Sequence, residues 1–409
     1  MPPLVSVIVV TYNSADWIGL CLHALQQQVT QTTYEIVVVD NASQDATIAL
    51  VQANYPDVQL LTEAENWGFA GGVNRGVAAA RGDPLVLLNP DSVPHPDWLE
   101  QITAPLADET IGIVGSKVRG PDGRIQSVGT HLHTPVMLTD HRGAEEQDHG
   151  QYDVLTDVQA VHGVAMAFPR HLWEEPGGLD EGYYPAYWEE VDFCERTRRA
   201  GYRVVVAPLS IVQHGEEASA TGKYSPAFYF YYHRNRLRYA TKWLDWPTLW
   251  NAFRPAEHTR LAGAPLLDRR IARLVYTEGV PALSPPDAAQ RAAVRAIGQQ
   301  LRAGTLPADD YTPLLALLGE AEQNSVLAEV TFRSRVPLVA RLRTAWNNVA
   351  TRWYVRPGFD QQTRFNLALE RAMRKLLEQQ TARAAADALD TALLAWRLTT
   401  TSSASRLDE

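Results

Sequence analysis

Apolar positions recur in two distinct ways along this chain. From Leu4 to Val10 the run Leu-Val-Ser-Val-Ile-Val-Val is β-branched and almost unbroken, and Thr11-Tyr-Asn-Ser14 closes it with helix-capping polar groups. Trp17, Ile18, Cys21, Leu22 and Leu25 then follow at helical spacing. The unit repeats: Tyr34 to Val39 runs into Asp40-Asn-Ala-Ser-Gln-Asp45 and a helix through Ile48, Ala49 and Val51. Two such units in succession predict a parallel sheet with right-handed crossovers. A further strand, Leu85-Val-Leu-Leu88, is short and wholly apolar between Gly82-Asp-Pro84 and Asn89-Pro90, which is the pattern of a central parallel strand. A helix around Trp98 to Leu106, a strand from Ile111 to Ser116, a hairpin turn at Pro121-Asp-Gly123 and a strand from Arg203 to Ala207 follow. Residues 140–153 are acidic, His-bearing and unpatterned, and read as a surface loop.

Past residue 245 the spacing becomes helical. The expected organisation is an α/β domain over residues 1–245, a Pro-rich linker with short helices over 246–290, an α-helical module over 291–398 and a disordered tail over 399–409. A length of 409 residues agrees with two or three domains, and 45% hydrophobic residues with a soluble globular protein. The net charge of −10 argues against a nucleic-acid binder, which needs many Lys and Arg contacts to phosphate, so the ligands should be small. Cys21 and Cys194 fall in helix-like stretches and suggest neither a disulfide framework nor a zinc site, which fits a reducing cytoplasm. The amino terminus lacks a signal-peptide pattern, and no apolar run approaches the ~20 residues of a membrane span. Any lipid-linked ligand would be met at the inner membrane face, where Arg234, Arg236 and Arg238 or Trp243, Trp246 and Trp250 could make peripheral contact; a helix surface and core aromatics are the plainer reading.

Three stretches carry candidate chemistry. Asp91 stands at the carboxyl end of the Leu85 strand, where open α/β sheets bind ligands and a carboxylate can hold a cation against a phosphate; an Asp-Ser turn gives the same pattern. Asn66-Trp-Gly-Phe-Ala-Gly-Gly-Val-Asn-Arg-Gly76 is a glycine-rich turn entering a helix, but it has the spacing of neither a dinucleotide site nor a P-loop. Glu189, Glu190 and Asp192 crowd the start of a helix, where the dipole favours negative charge. Tyr183, Tyr184, Tyr187 and Trp188 precede them as an apolar wall able to raise a neighbouring carboxyl pKa toward that of a useful base. His214 follows the Arg203 strand as a metal ligand or a turn residue.

In one order, Val-Thr-Tyr-Asn at 10–13, Val-Asp-Asn-Ala-Ser-Gln-Asp at 39–45, the 66–76 stretch, Asn-Pro-Asp at 89–91, Trp-Glu-Glu-Val-Asp-Phe-Cys-Glu-Arg at 188–196 and His214 resemble the inverting glycosyltransferases of family 2, rhamnosyltransferase-like enzymes of bacterial surface polysaccharides. The likeness extends over roughly residues 4 to 245, with Tyr232-His-Arg-Asn-Arg236 similar to that family's closing helix. It implies a GT-A (nucleotide-diphospho-sugar transferase) fold: a mostly parallel sheet flanked by helices, here with the helical module appended. It implies a nucleotide pocket formed by Thr11, Asn13, Asp40, Asp45, Asn66, Gly71, Asn74 and Asn89, and a Mn2+ or Mg2+ ion held by Asp91 and His214. The family's aspartate-x-aspartate motif stands here as Asn89-Pro-Asp91, leaving one carboxylate. The base would come from Glu189-Glu190, where the family has Glu-Asp; the choice between Glu190 and Glu189 stays open, with Asp192 orienting the helix or the acceptor. The implied partners are a dTDP- or UDP-linked sugar, dTDP-rhamnose leading, and a glycan or lipid-linked saccharide acceptor; the C-terminal helices suggest docking or homo-oligomer assembly. A sugar-phosphate nucleotidyltransferase should carry a glycine-rich, Arg-bearing loop where this chain has Thr-Tyr-Asn-Ser, and a non-catalytic nucleotide-sugar-binding scaffold is the third class.

Overall fold

Strands β1 (Leu4–Thr11) and β2 (Thr33–Asp40) pair in parallel from Leu4 with Thr33 to Thr11 with Asp40, so the two polar residues that end them lie side by side. The structure, a computed structural model, describes residues 4–175, 177–215, 225–304, 311–323 and 356–404. β3 (Gln59–Thr62) joins β2 and β4 (Leu85–Leu88) joins β1, both in parallel. After β5 (Ser92–Pro94) come β6 (Ile111–Arg119) and its antiparallel partner β7 (Ile125–Ser127), the hairpin expected around Pro121-Asp-Gly123. β8 (Thr130–His133) and β9 (Leu138–His141) form a separate two-stranded sheet, so the stretch read as a loop from residue 140 begins inside a strand. β10 (Thr156–Asp157), β11 (Ala165–Phe168) and β12 (Arg203–His214) complete a main sheet ordered β10-β12-β6-β11-β4-β1-β2-β3.

β11 opposes both β4 and β6 and divides the parallel strands into two groups. The sequence pattern did not reveal it, because Ala-Met-Ala-Phe has no β-branched residue and is buried on both faces. β12 also outruns its expected end at Ala207, continuing past an irregular register to deliver His214 beside Ser92.

Alternate residues of β1 serve two cores. Val5, Val7 and Val9 meet α1 (Ile18–Gln26), α2 (Thr47–Asn54) and later α4 (Trp98–Thr103), while Ile8 and Val10 face α3 (Gly68–Ala79). α3 lies close on the sheet: a Cβ at Gly72 would come 2.6 Å from Val10, and one at Gly76 2.5 Å from Ile8. Two glycines of the 66–76 motif are thus required by packing. α5 (His171–Glu174), α6 (Glu189–Arg199) and α7 (Pro226–Trp243) follow, and Phe193 and Tyr231 extend the Ile8 core.

Residues 246–290 hold α8 (Trp246–Thr248), which passes through a π turn into α9 (Arg254–Gly263), and α10 (Leu266–Glu278). These helices are docked on α7. Arg236 is fully buried and donates to Glu257 at 2.6 Å and to the Tyr276 hydroxyl at 2.9 Å, while Arg260 donates to Glu257 at 2.8 Å. Burial raises the Glu257 pKa, but these cations dominate and hold it far below the ordinary carboxylate range. Arg238 is likewise buried against Asp180, so neither Arg236 nor Arg238 is a surface group. α11 (Ala288–Arg302) opens on a capping box between Asp287 and Gln290, and α12 (Thr312–Gln323) and α13 (Arg356–Ala404) follow. α13 reaches into the stretch expected to be disordered; residues 405–409 lie outside the described residues. Among the described residues no helix is long and apolar enough to cross a membrane.

Candidate active site

A cavity of about 290 Å³ opens at the carboxyl ends of β1 and β4. Thr11, Tyr12, Asn89 and Pro90 line one side, and the Tyr184–Tyr187 loop, Glu189 and Glu190 another. Asn89 and Pro90 and the acidic pair a hundred positions later therefore share one cleft, while Asp91, His214, Asp40, Asn13 and Asp45 are absent from its lining.

The sheet edge presents unsatisfied acceptors. Asp40 is fully buried, accepts from the Ser43 amide at 2.8 Å through Oδ1 and leaves Oδ2 without a partner; Thr11 Oγ1, on the neighbouring strand, is also unpartnered. Asn13 accepts from the Gln44 amide at 2.7 Å and donates its own amide to Ser43 Oγ at 2.8 Å. Asp45 accepts from the Thr47 hydroxyl at 2.6 Å and the Ala15 amide at 3.1 Å; burial raises its pKa, but these bonds together bring it below the ordinary value. Asn66 caps the turn into α3 by accepting from the Gly68 amide at 2.8 Å. Gly71 and Asn74 lie further along α3, away from the cavity lining; Asn74 donates to the Leu179 carbonyl at 2.9 Å and to Glu181 at 3.0 Å, which ties α3 to the loop before α6.

Asp91 and His214 meet. His214 Nε2 lies 3.2 Å from Asp91 Oδ2, and its Nδ1 lies 2.9 Å from Gln126 Oε1. Gln126 Nε2 donates to the His214 carbonyl at 3.1 Å, which fixes the amide orientation, makes Oε1 the acceptor and puts the imidazole proton on Nδ1. In the neutral ring Nε2 and the carboxylate are then two acceptors facing each other, an arrangement suited to a shared cation. Among the described residues no group of three or more His, Cys, Asp or Glu side chains could hold a metal, so this is a half-site whose remaining ligands would have to be phosphate or water.

Glu189 and Glu190 open α6 behind two residues in the left-handed region, Tyr187 (φ 79°) and Trp188 (φ 81°). Such backbone strain costs about 1–3 kcal/mol per residue and persists only where surrounding structure enforces it. Here α7 enforces it: Asn235 Nδ2 donates to the carbonyls of Tyr183 (2.7 Å), Ala186 (2.8 Å) and Tyr187 (3.0 Å). Glu189 is buried with Oε2 unpartnered, and burial followed by the neighbouring Glu190 raises its pKa well above the ordinary value. Glu190 is half-buried, and burial brings it to about 7 against the opposing pull of backbone amides. Asp192, grouped with them in the sequence, is fully buried and absent from the lining. Its carboxylate accepts from Tyr183 (3.1 Å), Arg196 (3.0 Å), Lys242 (2.9 Å) and Trp243 (2.9 Å).

Sequence reading missed part of the wall. His162 and Gly163 belong to the turn before β11, and Tyr231, Arg295, Gln299 and Arg302 come from α7 and α11. The available signal for α11 was the spacing of Arg291, Arg295 and Arg302 around Gly298, which puts one basic stripe on a single helix face.

Known proteins resemble this chain in sequence. The model of the family described as glycosyl transferase family 2 matches residues 6–168. The chain is 35% identical over 218 residues to glycosyltransferase AglE of Haloferax volcanii, covering 49% of this chain and 69% of that protein. It is 25% identical over 246 residues to the N-acetylglucosaminyl-diphospho-decaprenol L-rhamnosyltransferase of Mycobacterium tuberculosis, covering 54% of this chain and 79% of the relative. Against the uncharacterized protein y4gI of Sinorhizobium fredii, 27% identical over 226 residues, it covers 53% of this chain but 25% of that protein. Among solved structures, the mannosyltransferase PcManGT from Pyrobaculum calidifontis in complex with GDP-Man and Mn2+ covers 92% of this chain and 88% of its own, at 19% identity and a TM-score of 0.41, a likeness too distant to argue from. The mostly parallel sheet flanked by helices, with its C-terminal helical region, is the GT-A layout that the sequence implied. On the matched family model and the extent of its identity with AglE, the chain belongs to glycosyl transferase family 2.

Proposed function

We propose that this chain is an inverting glycosyltransferase that moves a sugar from a pyrimidine nucleoside-diphosphate donor, with dTDP-rhamnose the leading candidate, to a hydroxyl of a glycan or lipid-linked saccharide in surface polysaccharide synthesis. The observation that carries it is one cavity holding both Thr11 and Asn89, at the carboxyl ends of β1 and β4, and a carboxyl group whose pKa is near neutrality. Its likeness to glycosyltransferase AglE and to the mycobacterial rhamnosyltransferase supports the reaction class.

Glu190 is the base in this reading. A sugar hydroxyl is a poor nucleophile, and a carboxylate that takes its proton in the transition state contributes ~10²–10⁴ in rate. Burial and the neighbouring Glu190 raise the Glu189 pKa well above the ordinary value and favour its neutral form, which leaves Glu190 as the proton acceptor in this reading. Tyr184 and Tyr187 exclude water from the attacking face, and Asn235 keeps their loop in place. Thr11 lines the cavity where the pyrimidine would sit, and Asp40 Oδ2 is an unpartnered buried oxygen beside it on β2. Asp91 and His214 would hold Mn2+ or Mg2+, which when bound offsets the charge that develops on the departing diphosphate. Displacement in line by the hydroxyl inverts the anomeric carbon without a covalent intermediate.

Thermal-shift titration of the full chain with UDP, dTDP and GDP sugars, with and without Mn2+, tests this. Stabilisation by a pyrimidine nucleotide that needs Mn2+ and falls at least tenfold in apparent affinity in Asp91→Asn is expected. A preference for GDP sugars, or no metal-dependent stabilisation by any of them, would overturn the donor assignment.

A further inference from the structure

The family model ends at residue 168, yet the cavity holding Glu189 and Glu190 is walled on one side by α11. That helix is fixed against the α/β domain along one face. Arg291 donates to Glu65 at 2.9 Å and lies 4.2 Å over the Trp67 ring. Arg295 Nη1 donates to the Asn66 carbonyl at 3.2 Å and to the Tyr184 hydroxyl at 2.8 Å, and Gly298 lies so close to Tyr231 that a Cβ would overlap its hydroxyl. One turn on, Gln299 and Arg302 reach the same cavity as exposed residues, with Arg302 hydrogen-bonded to Tyr231. Among the described residues, the partners of Arg295 and Arg302 are a carbonyl and tyrosine hydroxyls rather than carboxylates.

A neutral hydroxyl acceptor does not need two guanidinium groups beside the base. Donor phosphates, in the sugar-transfer reading on which this step rests, belong at Asn89-Pro90-Asp91 on the sheet edge, where Asp91 and His214 already offer a cation half-site. The cations on α11 line the same cavity as Asn89 and Pro90, and Arg302 reaches it beside Tyr231 on the helical wall. Planar guanidinium forks bind phosphate with paired, charge-assisted hydrogen bonds, and a neighbouring amide adds a further donor. We infer that Arg295, Gln299 and Arg302 form an anion subsite that takes a phosphate group carried by the acceptor substrate, so that α11, beyond the residues that the family model matches, selects the acceptor.

The test uses inorganic pyrophosphate, titrated calorimetrically into the full chain already saturated with UDP and Mn2+. Pyrophosphate should bind the loaded protein, roughly tenfold or more weakly in Arg302→Gln, and not measurably in the Arg295→Gln/Arg302→Gln double variant. Arg295 also holds Tyr184, so Arg295→Lys, which keeps the charge without the fork, should bind with intermediate affinity while melting like the parent. Failure of pyrophosphate to bind the loaded chain, or equal affinity in Arg302→Gln, would overturn the subsite. So would a matching loss of UDP affinity in Arg302→Gln, which would move the arginines to the donor phosphates. Farnesyl diphosphate and glucose 1-phosphate then compete against pyrophosphate: the stronger competitor marks a lipid-linked or a phosphorylated free saccharide, and competition by neither refutes an acceptor phosphate. Wild-type hydrolysis of nucleotide sugars is measured separately, so its absence would count against sugar transfer while the titration still decides the anion site.

Discussion

Replacing Glu190 with Gln separates a tuned base from an ordinary helix-capping carboxylate without requiring the acceptor. Burial brings the Glu190 carboxyl from an ordinary 4.5 to about 7. In the unfolded chain it ionises near its ordinary value, so between about pH 4.5 and pH 7 the folded protein holds a proton that the unfolded chain has lost. The stability linked to that proton is fully present below pH 4.5 and is lost as pH rises through about 7. A shift of this size corresponds to up to about 3 kcal/mol at pH 8.5, smaller to the extent that the half-buried carboxylate is hydrated. Gln cannot ionise and keeps the volume. Glu190→Gln should therefore resist urea better than the parent at pH 8.5, by up to about 3 kcal/mol, and match it near pH 4.5. The gain includes relief of Glu189, whose carboxyl Glu190 also pushes up. In turnover the same change should lower kcat by ~10²–10⁴, while the parent's kcat/KM climbs with pH to about 7 and then levels. Equal stability of variant and parent at pH 8.5, or a gain that does not vanish on acidification, would refute the argument that the site raises this carboxyl.

Other replacements should behave differently. Asp192→Asn leaves Arg196 and Lys242 facing a buried neutral amide, so urea unfolding should show a loss of about 3–5 kcal/mol that varies little between pH 6 and 8.5. Gly298→Ala pushes a methyl into the Tyr231 hydroxyl and should cost about 1–3 kcal/mol, with faster amide exchange across α11 as the helix lifts from α7. Asn235→Ala removes the amide whose two protons are shared by the carbonyls of Tyr183, Ala186 and Tyr187, and the strained backbone before Glu189 should relax. Its expected signature is a kcat loss exceeding tenfold with donor affinity little changed, measured by steady-state turnover and nucleotide titration.

Parts of this were legible in the residues alone. The β-branched runs ending in Thr11 and Asp40 and the apolar Leu85–Leu88 announced parallel strands with polar residues at their carboxyl ends, because strand period and strand termination are local properties of a sequence. The motif order from Thr11 to His214 named the fold, and of the residues it offered Thr11, Asn66, Asn89, Glu189 and Glu190 line the cavity. It also implied a pocket role for Gly71, which lies outside the cavity lining, and left unread that Gly72 and Gly76 are needed for contact with Val10 and Ile8.

What local pattern cannot encode is who meets whom. The reversed strand β11, with no β-branched residue, becomes a strand only because β4 and β6 supply hydrogen bonds on both sides. Arg236 and Arg238 read as surface cations in the sequence and are buried because Glu257 and Asp180, far away along the chain, neutralise them. Glu189, Glu190 and Asp192 are three similar carboxyl groups within one helical turn, yet donors from α7 occupy Asp192 while desolvation in the cleft raises the other two. Residue order therefore determined the strands, their polar ends and the list of groups able to do chemistry. Tertiary packing alone decided which of those groups are dehydrated, which are paired and which wall α11 closes, because desolvation and Coulomb interactions depend on distance in space and not along the chain.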